Sequence, residues 1–136
     1  MDYAGTLMEG TMMEALGMEV VEARPDRVVM RMPVGPAARQ SYGLLHGGAS
    51  VALAESAASF GTALNVDLET QWVVGSEINA SHLRSARDGF VVAEATVQHK
   101  GRTSMVWDIR VMGEADRKPV CACRCRVSIV DRREKG

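Results

Sequence analysis

One segment of the chain constrains the fold more than any other, because it is apolar on nearly every side. Residues 49–64 contain ten apolar side chains, mostly small, and Glu55 is their only charged residue. A helix that is apolar all round is typical of a buried position rather than a surface one. Gly61 weakens such a helix by about 1 kcal/mol relative to Ala, which packing has to offset. The sequence therefore predicts a central, buried helix.

The rest of the chain has the patterns of short strands around this helix. Residues 8–16 predict a short helix that ends at Gly17. Turn residues such as Asp88-Gly89 and Gly101 separate the segments that follow. Strands are predicted over residues 19–24, 28–32, 73–84, 90–98, 103–112 and 120–130.

Alternation along the strands predicts an inner and an outer face. The clearest case is residues 103–112, where one face carries Met105, Trp107, Ile109 and Val111. Consecutive strands with short turns imply an antiparallel meander. One central helix and a long antiparallel sheet predict an α+β domain in which the sheet wraps the helix.

Length and charge limit the class of protein. The 136 residues are enough for one domain over residues 1–136 and too few for two of ordinary size. Sixteen Lys and Arg against seventeen Asp and Glu leave a formal charge of −1, and two each of Trp, Tyr and Phe are present. A nucleic-acid surface needs a basic excess or an aromatic platform. We therefore expect no nucleic-acid partner.

Membrane and secretory patterns are also missing from the sequence. The longest apolar stretches, such as residues 90–93, fall far short of the ~20 residues of a membrane span. No Lys or Arg precedes Arg24 and no apolar core follows Met1, which argues against a secretory signal. We expect no membrane association and a cytoplasmic location.

Three cysteines alternate along the last predicted strand, at Cys121, Cys123 and Cys125. Because side chains alternate between the two faces of a strand, the three cysteines share one face. Neighbouring cysteines on that face are about 6.6 Å apart along the strand, whereas a disulfide requires Cβ atoms about 3.5–4.5 Å apart. There is no Cys-x-x-Cys spacing and no second cysteine cluster, so buried apolar thiols are favoured over a metal site. We expect these cysteines to belong to the core.

The residues before the long helix are the first candidates for chemistry. Residues 40–48, QSYGLLHGG, lead directly into it and end in two glycines. N–H groups at a helix start are unpaired, the helix dipole is positive there, and glycines permit close approach of a ligand. Such a place suits a carbonyl that becomes an oxyanion. The alternative is that Gly47 and Gly48 only form a tight bend.

Glu55 is the second candidate, because a lone carboxylate in an apolar helix must be paired, exposed at an interface or functional. Ser59 lies on the same face and could hydrogen-bond to it or to a water. His46 precedes Glu55 by about 2.5 helical turns, so a second chain would have to supply one of them at a shared bond. The alternative is a structural glutamate paired with an Arg of the sheet.

Other catalytic patterns do not fit the chain. Residues 48–52, GASVA, lack the last glycine of the G-x-S-x-G elbow. His46, His82 and His99 have no zinc-ligand spacing, and no phosphate-binding glycine loop occurs. We expect no metal and no cofactor.

Two segments together resemble a known family. Residues 43–56, GLLHGGASVALAES, resemble the signature of hotdog-fold acyl-CoA thioesterases, and residues 74–89, VGSEINASHLRSARDG, resemble one branch of that family. The branch holds the menaquinone-pathway 1,4-dihydroxy-2-naphthoyl-CoA thioesterases and the enterobactin-pathway proofreading thioesterase. The likeness covers nearly the whole chain and is weakest before Val28. It implies a hotdog fold, an antiparallel sheet wrapped around one long helix.

The resemblance also implies roles for individual residues. Glu55 corresponds to the catalytic carboxylate, acting as nucleophile or as general base on water. The Gly47 N–H corresponds to the group that polarises the thioester carbonyl, helped by the side chain of Gln40. His46 corresponds to the histidine that orients the thioester or assists the thiolate to leave. Ser59 corresponds to the residue that positions the attacking water or Glu55.

The resemblance assigns coenzyme A contacts and an assembly as well. His82, Arg84, Arg102 and Thr103 fall where relatives hold coenzyme A, which is part of the substrate and not a cofactor. In relatives the carboxylate faces the oxyanion donors across a dimer interface, and relatives form tetramers. We therefore expect a homo-oligomer, a dimer with cross-subunit sites that assembles further into a tetramer.

The expected function is hydrolysis of an aromatic acyl-CoA to the free acid and coenzyme A. The substrate 1,4-dihydroxy-2-naphthoyl-CoA is favoured because residues 77–89 resemble that branch, which implies a role in menaquinone biosynthesis. One alternative is a phenylacetyl-type or medium-chain acyl-CoA thioesterase, and another is a hotdog dehydratase, which would need a His paired with an acid. The fold also permits a non-catalytic acyl-CoA-binding module.

Overall fold

The computed structural model describes residues 8–132, in which six strands accompany one long and one short α-helix. A single 3₁₀ turn, Pro36–Ala38, precedes the long helix. Both the α+β class and the sequence order of the predicted elements are confirmed. The elements are α1 Met12–Ala15, β1 Glu19–Arg24, β2 Arg27–Pro33, α2 Gly47–Ala63, β3 Gln71–His82, β4 Phe90–Lys100, β5 Ser104–Gly113 and β6 Pro119–Asp131.

Helix α1 is shorter than the predicted span of residues 8–16. Gly10 has φ of 71°, a left-handed conformation outside the helical region, so a regular helix cannot run through it. The Thr11 side chain then accepts a hydrogen bond from the Glu14 N–H at 3.4 Å and caps the helix. Gly17, with φ of 72°, ends the segment as predicted.

Helix α2 begins two residues before its predicted start, because His46 caps it. The Nδ1 atom of His46 accepts a hydrogen bond from the Gly48 N–H at 2.8 Å. One face of the helix is buried against the sheet, as expected, but the opposite face is only half-buried. This half-buried face carries Val51, Ala52, Glu55, Ser56 and Ser59.

The sheet is antiparallel throughout, with strand order β1-β2-β4-β5-β6-β3. The predicted meander is correct for β4, β5 and β6 but wrong for β3, which does not pair with β4. Strand β2 occupies the place beside β4, so the chain crosses the sheet through α2 and adds β3 next to β6. As a result β3 is an edge strand, paired on one side only within residues 8–132.

The core lies between α2 and the concave face of the sheet. The predicted inner face of β5 is confirmed, since Met105, Trp107, Ile109 and Val111 are all at most 1% exposed. Helix α2 contacts β3, β2 and β6 most extensively, so the sheet wraps the helix. The half-buried face of α2 borders a cavity of about 780 Å³.

The three cysteines lie in this core as free, buried thiols, as predicted. The sulfur atoms of Cys121 and Cys123 are 3.4 Å apart and in hydrogen-bond contact. Burial raises the pKa of Cys123 to about 12, and burial together with the charges of Glu55 and Glu77 raises the pKa of Cys125 to about 12. These thiols are therefore protonated at neutral pH.

Candidate active site

Gln40 organises the loop that leads into α2. Its side-chain Oε1 accepts hydrogen bonds from the Tyr42 N–H at 2.6 Å and the Leu44 N–H at 3.2 Å. Because both partners are donors, the side-chain oxygen of Gln40 faces the turn, and its NH₂ group is directed away from the turn. Within residues 8–132 that NH₂ group has no acceptor, so it is available to a ligand.

Gly47 presents a free N–H at the helix start. His46 already takes the Gly48 N–H, whereas the Gly47 N–H has no acceptor in the described part of the chain. Since Nδ1 of His46 accepts, the neutral ring carries its proton on Nε2. A Cβ on Gly47 would lie 2.8 Å from Nε2 of His82, so a larger residue at this position would force the second imidazole to move.

A cavity of about 410 Å³ borders the helix start and is called here the helix-start cavity. Four of the predicted site residues line it together. Two of them have exposed side chains: Arg84, which is a cation, and His82, which can donate a hydrogen bond. Arg84 forms no ion pair within residues 8–132. The four predicted residues in this cavity are Gln40, Gly47, His82 and Arg84.

A second cavity, of about 780 Å³, follows the half-buried face of α2 and is called here the carboxylate cavity. Glu55 and Ser59 line it, and among residues 8–132 Glu55 is the only residue with a formal charge in its lining. The remaining wall is mostly apolar and comes from α1, α2, the segment before β3 and β3 itself. Its large apolar side chains are Met12, Met13, Phe60, Leu68 and Trp72.

The carboxylate of Glu55 has no hydrogen-bond or ion-pair partner within residues 8–132. The alternative of a structural glutamate paired with an Arg of the sheet is therefore not what the fold contains. The hydrogen bond that Ser59 could make to Glu55 is also not formed, although both side chains line the same cavity. An unpaired carboxylate on an apolar wall is available to react with a ligand or a water molecule.

Within one chain the two halves of the predicted site are separate. Gly47 borders the helix-start cavity, and Glu55 lies eight residues further along α2, about 12 Å along the helix axis. Arg102 and Thr103 lie apart from both, at the exposed turn between β4 and β5. The fold thus divides the predicted residues among three places: the hydrogen-bond donors at the helix start, Glu55 with Ser59 in the carboxylate cavity, and the turn between β4 and β5.

Sequence reasoning did not single out the apolar wall of the carboxylate cavity. Trp72 and Val74 are 49% and 47% exposed, although both are large apolar residues on β3. The sequence pattern that could have identified Trp72 and Val74 is the presence of apolar residues on both faces of β3. That pattern is unusual for a strand with one face in water. Met12 on α1, 60% exposed, carried no such signal.

Within residues 8–132, His, Cys, Asp and Glu side chains form no group of three or more that could hold a metal ion. No helix in the same part of the chain is long and apolar enough to cross a bilayer.

A central helix wrapped by an antiparallel sheet, with a free carboxylate on one helix face and free donors at the helix start, defines a hydrolase of the hotdog type. The sequence pattern of the Thioesterase superfamily matches residues 42–120, which include Glu55 and Gly47 but not Gln40. The chain belongs to the thioesterase superfamily and is an enzyme of that class. The fold, family and enzyme class expected from the sequence are confirmed.

Similar proteins support the same assignment. ComA2 from Bacillus subtilis, which is named as an esterase without a substrate, is 47% identical over 90% of this chain and 97% of its own. The 1,4-dihydroxy-2-naphthoyl-CoA hydrolase of Escherichia coli is 41% identical over 90% of this chain and 88% of its own. The crystal structure of a mutant of thioesterase PA1618 from Pseudomonas aeruginosa superimposes with a TM-score of 0.89 at 39% identity, covering 94% of this chain and 91% of the other.

Proposed function

We propose that the protein hydrolyses an aromatic acyl-CoA to the free acid and coenzyme A, with 1,4-dihydroxy-2-naphthoyl-CoA as the favoured substrate. The unpaired carboxylate of Glu55 in a large apolar cavity carries this proposal. Such a carboxylate can act as nucleophile or as general base. The name of the Escherichia coli relative supports the choice of acyl group and a role in menaquinone biosynthesis.

The reaction needs charge stabilisation at the carbonyl oxygen when the carbonyl carbon becomes tetrahedral. The N–H of Gly47 and the side-chain NH₂ of Gln40 are the two donors for that oxygen, at the positive end of the α2 dipole. The C–S bond then breaks, and the sulfur leaves with the electron pair as the coenzyme A thiolate. His46, with its proton on Nε2, orients the thioester or protonates that sulfur.

Glu55 begins the reaction by one of two routes. As general base it takes a proton from water, whose oxygen attacks the thioester carbon, and Ser59 positions that water. As nucleophile it forms an acyl anhydride with loss of the thiolate, and water then cleaves the anhydride. Either route consumes one water and needs neither a metal nor a redox cofactor.

Two chains build each site in this proposal. One thioester carbonyl cannot touch Gly47 and Glu55 of the same chain across about 12 Å of helix, so the partner supplies one of them. The unpaired edge of β3 provides twelve residues along which a second copy can extend the sheet. We propose a dimer with cross-subunit sites, which pairs into a tetramer.

The remaining predicted residues contact coenzyme A in this arrangement. His82 and Arg84 lie on the helix-start cavity, where hydrogen bonds and positive charge suit phosphate groups. Arg102 and Thr103 do not line that cavity within one chain and would reach the nucleotide from a neighbouring subunit. We place the enzyme in the cytoplasm, where acyl-CoA substrates are made.

The acyl group lies in the carboxylate cavity between Glu55 and the end of α2. From Glu55 to Ala63 the helix extends about 12 Å, enough for a two-ring aromatic group. Trp72 and Leu68 form the far wall and offer apolar surface to a flat ring.

A thiol-release assay over a panel of acyl-CoA esters tests the function. We expect the highest kcat/KM with 1,4-dihydroxy-2-naphthoyl-CoA, lower values with phenylacetyl-CoA and octanoyl-CoA, and no enoyl product from a hydroxyacyl-CoA. Glu55→Ala should fold, bind acyl-CoA and lose most turnover. Near-normal turnover of Glu55→Ala would contradict the role of this carboxylate, and a preference for octanoyl-CoA would contradict the aromatic substrate.

Mixing two inactive variants tests the shared site. Glu55→Ala and Gln40→Ala chains, unfolded together and refolded, form mixed dimers in which a cross-subunit site combines one intact Glu55 with one intact Gln40. Random pairing makes about half of the dimers mixed, and each mixed dimer has one intact site out of two. We therefore expect about a quarter of wild-type activity. If each site came from one chain, the mixture would be as inactive as its components.

A further inference from the structure

Gly75 lies on β3 directly against the side chain of Glu55. A Cβ atom on Gly75 would lie 2.8 Å from both Cδ and Oε2 of Glu55 and 3.2 Å from its Cγ. Non-bonded carbon atoms pack at about 3.5–4.0 Å, so no other residue fits here while the carboxylate keeps its place. Gly75 does not have a positive φ, so the strand backbone itself does not require glycine.

The strand is irregular at the same point. Gly75 pairs with Val127 and Glu77 pairs with Arg126, which leaves Ser76 as an extra residue of a β-bulge. The Ser76 hydroxyl donates a hydrogen bond to the Arg126 carbonyl at 3.1 Å and fastens the bulge to β6. Bulges bend a strand and redirect the residues beside them. This bulge lies where the backbone of Gly75, which has no side chain, packs against the Glu55 carboxylate.

No polar contact within residues 8–132 holds the Glu55 carboxylate in place. A glutamate side chain has three rotatable torsions, so its position depends on the surfaces against which it packs. The surface on one side is the Cα of Gly75, and the open side is the carboxylate cavity.

We propose that Gly75 is a positioning residue, whose missing side chain leaves the space from which the Glu55 carboxylate faces the substrate. This inference rests on the proposed catalytic role of Glu55. A larger residue at this position pushes the carboxylate away from β3 and out of line with the thioester. Displacements of about 1 Å in a catalytic group can lower the rate about 100-fold.

Gly75→Ala tests the proposal directly. We expect kcat to fall roughly 10- to 100-fold and KM to change less than about twofold, because binding surfaces stay in place. The melting temperature should not fall, since the atoms nearest to the added methyl belong to the flexible end of Glu55 and alanine suits a strand better than glycine does. Gly35→Ala is the matched control, because a Cβ there meets nothing within 4 Å, and it should behave as wild type.

The double variant Glu55→Ala/Gly75→Ala separates positioning from other effects. If Gly75 acts through Glu55, adding Gly75→Ala to Glu55→Ala should leave the residual rate unchanged. A further loss in that background, a wild-type kcat for Gly75→Ala, or a melting temperature that falls along with kcat would each overturn the inference. High turnover by Glu55→Ala alone would instead refute the proposed role of Glu55, so the two failures are distinguishable.

Discussion

The indole N–H of Trp107 donates a hydrogen bond of 2.9 Å to the hydroxyl of Thr62, and both side chains are fully buried. The Thr62 hydroxyl in turn donates to the Ala58 carbonyl at 2.9 Å. Next to it, the Trp107 ring fills the space that Gly61 leaves open, where a Cβ would collide with the indole carbons. The packing of the Trp107 ring against Gly61, rather than the hydrogen bond to Thr62, sets the rotation of α2 on the sheet and so directs Glu55 to the carboxylate cavity.

Thr62→Val should destabilise the protein without changing kcat. The substitution keeps the shape of the side chain but removes the acceptor of a buried N–H, which costs about 1–3 kcal/mol. Urea unfolding at constant m-value measures the change. Thr62→Val/Trp107→Phe should cost less than the sum of the two single variants, because neither polar group is then left unpaired. Strict additivity would show that the hydrogen bond is not what couples the two residues.

Gln40 should matter through its NH₂ group rather than through the turn that it holds. Gln40→Glu keeps an oxygen acceptor for the Tyr42 and Leu44 N–H groups but replaces the donor with a carboxylate. We expect Gln40→Glu to keep the wild-type melting temperature while kcat falls by about 10²–10³, the loss seen when one oxyanion donor is removed. Wild-type kcat in this variant would mean that Gln40 only shapes the loop.

Trp72→Ala should reduce the preference for aromatic substrates. The indole borders the carboxylate cavity and is held by Arg132, whose guanidinium lies 5.6 Å from the ring centroid. We expect the ratio of kcat/KM for naphthoyl-CoA over acetyl-CoA to fall roughly three- to tenfold, the value of one aromatic contact. Val21→Ala, an exposed apolar residue outside both cavities, serves as control. An unchanged ratio would place the acyl group elsewhere.

The buried thiols should make stability fall at alkaline pH. The pKa of Cys123 is raised from 9.0 to about 12 in the folded chain, so its neutral form contributes stability that is complete below pH 9.0 and is lost as pH rises toward 12. Chemical unfolding at several pH values should show this decline, and Cys123→Ala should make it shallower. In the native protein a thiol reagent at pH 8 should label none of the three cysteines, whereas all three should react after unfolding. Rapid labelling of the native protein would contradict this burial.

Local patterns predicted most of the secondary structure. Alternation in β5 and the cysteine strand β6 identified the inner face correctly, because each strand separates its two faces residue by residue. The neighbour of β3 was predicted wrongly, because sequence order favours pairing with the next strand, whereas the crossover through α2 carried β3 to the far edge. Strand pairing across such a crossover depends on contacts between distant residues, which no local pattern contains.

The chain by itself determined that a long apolar helix carries one carboxylate and starts at two glycines, since composition and spacing decide which segments must leave water. A helix apolar on nearly all sides has no polar stripe to show which face meets the sheet. Only the tertiary structure decided which face of α2 meets the sheet. It did so by packing Trp107 against Gly61, and Gly75, which has no side chain, against Glu55. The physical reason is steric fit between segments far apart in sequence, which left that carboxylate unpaired within residues 8–132.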